Sequence, residues 1–151
     1  METLINIADR EIINTRIFDA PREVVFNAWS NPELLAMWWG PKGFTNTFHE
    51  FEFKRGGIWK STMYGPDGTA YPNKNVFEEI IEPERIVFTH LQAVHTFQVT
   101  ATFGAIGNQT KLTFRMLFEF SEECKRVKPF IINVNEENFD KLEEIINKIK
   151  R

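Results

Sequence analysis

The sequence predicts an α+β fold: a curved antiparallel sheet of six to seven strands wrapped around a long C-terminal helix, with two short helices after the first strand. Three observations predict it. From Gly43 to Phe120, hydrophobic residues recur with a period of two between clusters of turn residues. Only one long stretch has a helical period, with Phe139, Leu142, Ile146 and Ile149 backed by Ile145. Between the first strand and the alternating region lie two short helical segments, each bounded by proline or glycine. Apolar residues alternating with polar ones imply a sheet wetted on one face, and the long helix is the element left to cover the other.

Met1 to Asp9 reads as a lead-in. Glu11 to Phe18 reads as a strand, with Ile13, Thr15 and Ile17 on one face and Ile12, Asn14 and Arg16 on the other. Asp19-Ala20-Pro21 turns into a helix, with Asp19 or Ala20 placed to cap it and proline in its first turn. Val24, Val25, Ala28 and Trp29 give that helix an apolar side, and it stops at Ser30-Asn31. Asn31-Pro32-Glu33 starts the second helix with a capping asparagine, a proline and an acid near its positive end. Leu34, Leu35 and Trp38 form its apolar side, and Gly40-Pro41 ends it after the adjacent pair Trp38-Trp39.

Phe44 and Phe48 share one parity while Phe51 and Phe53 fall on the other, which predicts a bulge between Phe48 and Phe51. Lys54-Arg55-Gly56-Gly57 is a turn, and Ile58 to Tyr64 a strand with Trp59, Ser61 and Met63 on one face. Gly65-Pro66-Asp67-Gly68 has hairpin-turn chemistry. Lys74 to Ile81, Arg85 to Leu91 and Thr96 to Phe103 are strands, the first two separated by Glu82-Pro83-Glu84. A hairpin turn over Gly104 to Gln109, centred on Gly107-Asn108, leads to the strand Thr110 to Phe120. Ser121 to Lys128 reads as a helical turn or two broken by Pro129. The long helix then starts at Asn133 or Asn135, with Glu136 and Glu137 in its first turn.

A length of 151 residues fits one domain with a sizeable core. Fifteen phenylalanines crowd that core with flat side chains that are hard to pack without voids, and voids can become pockets. The net charge of -3, with basic residues scattered, gives no footprint for nucleic acid. The densest basic group, Lys148-Ile149-Lys150-Arg151, suits a helix C-terminus. Cys124 is the one cysteine, so no internal disulfide forms; this points to a reducing, cytoplasmic setting, and its acidic neighbours Glu122 and Glu123 argue against a reactive thiol. The N-terminus has no apolar run of the signal-peptide kind, and no stretch reaches the ~18 apolar residues of a membrane span.

Several blocks resemble the domain named for the activator of the 90-kilodalton heat-shock chaperone's ATPase. They are Phe18-Asp19-Ala20-Pro21-Arg22-Glu23-Val24-Val25-Phe26-Asn27-Ala28-Trp29, Pro32-Glu33-Leu34-Leu35, Trp38-Trp39-Gly40-Pro41, Gly56-Gly57-Ile58-Trp59, Met63-Tyr64-Gly65-Pro66-Asp67-Gly68, and Glu79 to Phe88. They follow the family's order from about Arg16 to Phe120. That family is similar to the START-like superfamily with its helix-grip, polyketide cyclase-like fold. The resemblance implies a cavity between sheet and long helix, apolar ligands in some relatives, cyclase or hydrolase-like chemistry in others, and a link to the stress response. Two departures stand out. Many relatives carry a Gly-rich, Trp-containing approach to the last helix, where this chain has Lys128-Pro129-Phe130-Ile131-Ile132-Asn133-Val134-Asn135. The eukaryotic co-chaperone has an additional N-terminal domain for which this chain has no room, which argues against chaperone activation.

Chemistry candidates are few. His49, His90 and His95 form no metal-ligand spacing, and only His90, in parity with Ile86 and Phe88, would face inward with them. Of the adjacent acids Glu78 and Glu79, one must face inward unless a bulge intervenes, and an inward glutamate could act as a general base. Gly56-Gly57 lacks the features of a phosphate loop, and no Gly-x-Ser-x-Gly elbow occurs. The best signal is an aromatic set. Trp39, Phe44, Trp59, Met63, Phe88, His90, Phe97 and Phe114 are the expected ligand-binding residues, with Trp38 anchored in the core and Trp39 nearer the cavity mouth. Tyr64 and Glu79 join His90 as polar groups that could orient a ligand. The expected partner is a hydrophobic or amphipathic small molecule. A heat-shock chaperone and a second copy of the chain are alternatives, and no cofactor, metal or catalytic residue is assigned.

Overall fold

The computed structural model describes residues 7–91 and 96–149. A short 3-10 turn, Ile7–Arg10, leads into β1 (Glu11–Phe18), α1 (Arg22–Ser30), α2 (Pro32–Trp38), β2 (Thr45–Phe51), β3 (Ile58–Tyr64), β4 (Ala70–Ile81), β5 (Arg85–His90), β6 (Phe97–Ile106), β7 (Gln109–Phe118) and α3 (Ser121–Ile149). The seven strands form one antiparallel sheet in the order β1-β7-β6-β5-β4-β3-β2. The strand β1 therefore lies at one edge and β2 at the other.

Alternation does what the sequence predicts. Val99, Ala101 and Phe103 of β6 and Leu112, Phe114, Met116 and Phe118 of β7 turn to the buried face. Phe139, Leu142, Ile145 and Ile146 of α3 meet that face, with Phe139 edge-on to Phe18 at 6.2 Å and to Phe114 at 5.8 Å. The short helices fill the remaining corner, where Phe26 packs on Phe103 and Trp29 on Trp38. The β2 bulge falls between Phe48 and Glu50, which brings Phe48, Phe51 and Phe53 to one stacked aromatic row. The last hairpin turns on Gly107 at φ 59° and Asn108, with Ile106 opposite Gln109. Glycine first in a two-residue loop is the type II′ arrangement.

Several expectations need correction. No side chain caps α1, whose N-cap is Pro21, whereas Asn31 caps α2 as read, its side chain accepting from Glu33 N–H at 3.0 Å. Strand β4 starts at Ala70 rather than Lys74, and β6 runs on to Ile106. Strand β7 ends at Phe118 rather than Phe120, which is exposed. The largest difference is α3, one helix of 29 residues with Pro129 inside it, so neither Asn133 nor Asn135 is a cap. Proline removes one intrahelical hydrogen bond, but the tertiary contacts on both sides of it carry the helix through. Ile149 is exposed, so the buried stripe stops at Ile146. The connection 92–95, including His95, and residues 1–6 of the expected lead-in lie outside the described residues.

Candidate functional site

The block Trp38-Trp39-Gly40-Pro41 joins the short helices to the sheet and to α3. Successive residues at a helix end point about 100° apart, so the two side chains leave in different directions, although their rings meet edge-on at 5.5 Å. Trp38 is fully buried against Trp29, and its Nε1–H donates to the Ala28 carbonyl at 2.9 Å. Trp39, half-buried, spans the sheet to touch Trp59, Phe88 and Phe114. Its carbonyl accepts from Asn46 Nδ2 at 2.6 Å. Gly40 then takes a left-handed φ of 106°, and its N–H donates to Asn138 Oδ1 of α3 at 3.1 Å. Lys141 Nζ donates to the carbonyls of Gly40, Pro41 and Phe44 at 3.3–3.4 Å. Burial pushes the Lys141 pKa below its ordinary value, and Glu144 partly opposes that shift.

Between this block, the concave face and α3 lies a cavity of about 240 Å³. Trp39, Phe88, Phe97 and Phe114 supply its aromatic wall; Met63, Val99 and Met116 add to it from the sheet, and Ile131 and Val134 from α3. The polar part consists of Asn73, Asn75, His90, Asn135 and Asn138. No charged side chain lines it among the described residues.

The strand register makes Asn75 and His90 neighbours on β4 and β5. His90 Nδ1 lies 2.9 Å from Asn75 Oδ1, and its ring stacks on Phe97 at 4.7 Å. An amide oxygen only accepts, so Nδ1 carries the proton. Asn135 and Asn138 are one turn apart on α3 and nearly fully buried. Buried Asn14 of β1 donates through Nδ2 to the Ile132 carbonyl at 3.2 Å and to Glu136 Oε2 at 2.8 Å. Its Oδ1 accepts from Asn135 Nδ2, which also approaches Met116 Sδ.

The family model for activator of Hsp90 ATPase homolog 1-like proteins matches residues 19–147. The chain belongs to that family. The blocks between Arg16 and Phe120 carry the same resemblance in the sequence. No curated protein matches the chain. Among solved structures, a protein from Nitrosomonas europaea superposes with a TM-score of 0.87 at 20% identity, covering 95% of this chain and 97% of that one. One from Arthrobacter aurescens gives 0.87 at 23% identity over 95% and 89%. One from Mycobacterium smegmatis gives 0.83 at 19% identity over 95% and 95%. These likenesses show the START-like, helix-grip fold.

In this member of the Hsp90 ATPase activator-like family, six of the eight residues expected to bind ligand come together: Trp39, Met63, Phe88, His90, Phe97 and Phe114 line the cavity. Two do not. Trp59 is buried in the core, 9° from parallel with Phe77 and tilted against Trp39. Phe44 lies outside the cavity against Tyr71, at 5.9 Å. Tyr64 is also outside the lining. Glu79 lies opposite Val87, outside the cavity lining, where Arg85 Nε donates to it at 2.7 Å, and Glu78 accepts from Thr89 Oγ1 at 2.8 Å. A register shift between Phe77 and Glu79 turns both acids away from the interior. His49 is exposed and lies 2.8 Å from Thr62 Oγ1. Among the described residues no group of His, Cys, Asp and Glu could hold a metal, and no helix is long and apolar enough to cross a membrane. Burial raises the pKa of the Cys124 thiol, in keeping with an inert core residue. The asparagines are what sequence reasoning missed. The available signal was a three-residue step, Asn135 to Asn138, on the face that continues to Leu142.

Proposed function

We propose that this chain is a single-domain binding protein, working in the cytoplasm, that holds an apolar or amphipathic small molecule between the concave sheet and α3. One observation supports this above the rest: an aromatic wall contributed by four separate segments surrounds a cavity of about 240 Å³ that the crowded core leaves unfilled. Trp39, Phe88, Phe97 and Phe114 would supply apolar contact at about 25 cal/mol per Å² before ordering costs. His90 and the asparagines would orient the guest. Thermal shift against a panel of aromatic metabolites and lipids tests the reading. A melting temperature that rises with one member supports it, and flat curves across the panel overturn it.

A second reading follows from the family match over residues 19–147: a co-chaperone-type module that stimulates a heat-shock chaperone's ATPase. Unchanged ATP turnover by that chaperone at saturating protein removes it. A cyclase-like enzyme draws less support, since the one candidate carboxylate, Glu79, is paired with Arg85 and lies outside the cavity lining.

A further inference from the structure

The chemical class of the guest follows from the orientation of the buried amides. Asn138 Oδ1 accepts from Gly40 N–H, a group that can only donate, so the oxygen end of this amide is fixed on the loop. Asn14 Nδ2 meets a carbonyl and a carboxylate, which only accept, so Asn14 Oδ1 is the end that faces Asn135. That oxygen in turn requires Asn135 to present its NH2. Two groups remain, the Asn135 oxygen and the Asn138 NH2. They belong to cavity-lining residues three apart on one helix face, each only 6% exposed. One accepts and the other donates.

We infer that the cavity takes a small, uncharged aromatic amide or lactam, whose N–H donates to Asn135 Oδ1 and whose carbonyl accepts from Asn138 Nδ2. The inference rests on the ligand-binding reading above and deepens it. Charge is disfavoured because a buried ion needs an opposite partner, and among the described residues the lining holds no carboxylate, lysine or arginine. A carboxylate would also bring an acceptor against the Asn135 oxygen. Size sets a second limit: an apolar cavity of about 150 Å³ holds benzene, so about 240 Å³ suits one substituted ring. The ring itself would lie among Trp39, Phe88, Phe97 and Phe114, where offset or edge-on aromatic contacts are favoured.

The test is calorimetric titration of the full chain with three probes of nearly equal size: benzamide, benzoate and toluene. Benzamide is expected to bind at least about tenfold more tightly than either of the others, the scale of one buried hydrogen bond gained or left unmade. Asn138→Asp keeps an oxygen for Gly40 N–H and replaces the donor with an acceptor; benzamide affinity is expected to fall by at least about tenfold. Toluene binding as well as benzamide, benzoate binding better, or undiminished benzamide affinity in N138D would each overturn the amide assignment while leaving the cavity reading in place. Binding of none of the probes to the unmodified protein would overturn the assignment, and the panel of aromatic metabolites and lipids would then decide the cavity reading by itself. If N138D does not fold, the ranking of the three probes on the unmodified protein decides.

Discussion

Gly40 N–H donates to Asn138 Oδ1 at 3.1 Å, joining the loop after the tandem tryptophans to the middle of α3. The bond is buried at both ends and is the polar counterpart of the aromatic contacts that Trp39 makes with the sheet. Asn138→Ala leaves the Gly40 N–H without a partner. An orphaned buried donor costs about 1–3 kcal/mol, and urea denaturation is expected to show a loss of that size with little change in slope.

Gly56 and Gly57 differ although they are adjacent. A Cβ on Gly56 meets nothing within 4 Å, and only its φ of 79° opposes a side chain. A Cβ on Gly57 falls 2.0 Å from the Glu52 carbonyl oxygen, a backbone atom that cannot step aside. Gly56→Ala should cost about 1–2 kcal/mol, the left-handed penalty. Gly57→Ala should cost more, because relieving the clash with the Glu52 carbonyl means moving a turn that both glycines pin to Phe77 of β4 through backbone hydrogen bonds. Equal midpoints for the two variants in a denaturant series would contradict this.

Lys141 gives a pH dependence with an unusual sign. Burial lowers its folded-state pKa below the ordinary value of 10.5, so on raising the pH the folded state loses its proton before the unfolded state does. The unfolded chain then binds more protons, and stability contributed by this group rises with pH in the alkaline window below 10.5. Lys141→Met removes the group. The stability difference between parent and variant is expected to move in favour of the parent as pH is raised from neutral toward that value.

Val99 lines the cavity from the first half of β6 and is 1% exposed. Val99→Phe places a ring in the space a guest would occupy. A ligand at a hundred times its dissociation constant stabilises by about 2.7 kcal/mol, and in the variant that gain should vanish from the melting curve while the circular dichroism stays that of the parent. Undiminished ligand stabilisation would place the guest elsewhere.

Period-two alternation locates the strands because it follows directly from the pleat, and the bulge in β2 is legible as a parity change between Phe48 and Phe51. The aromatic wall is legible for the same reason, since inward parity selects Phe88, Phe97 and Phe114 together. The polar floor is not. Asn135 near Pro129 has the local appearance of a helix cap, and its role depends on Asn14, far away in the chain, which only the packing of α3 on β1 brings into reach. Glu78 and Glu79 mislead in the opposite direction: a bulge beside Phe77 changes which way both point, and no local composition announces it. Trp59 and Phe44 have the right parity but the wrong depth, and depth depends on how far the sheet curves.

The strand order carries a consequence for how the molecule assembles. Strands β2 to β7 pair each with the next in sequence, so five successive hairpins can close one short loop at a time. Strand β1 alone must wait, because Phe18 finds Thr110 only after nearly all the intervening chain has been placed. Loop closure costs more as the loop lengthens, and non-local pairing slows folding. Strand β1, synthesised before the other six strands of the sheet, is therefore expected to be the last to join it. Conservative truncations there, such as Ile12→Val, should speed unfolding and leave the folding rate nearly unchanged, whereas Val99→Ala in β6 should slow folding.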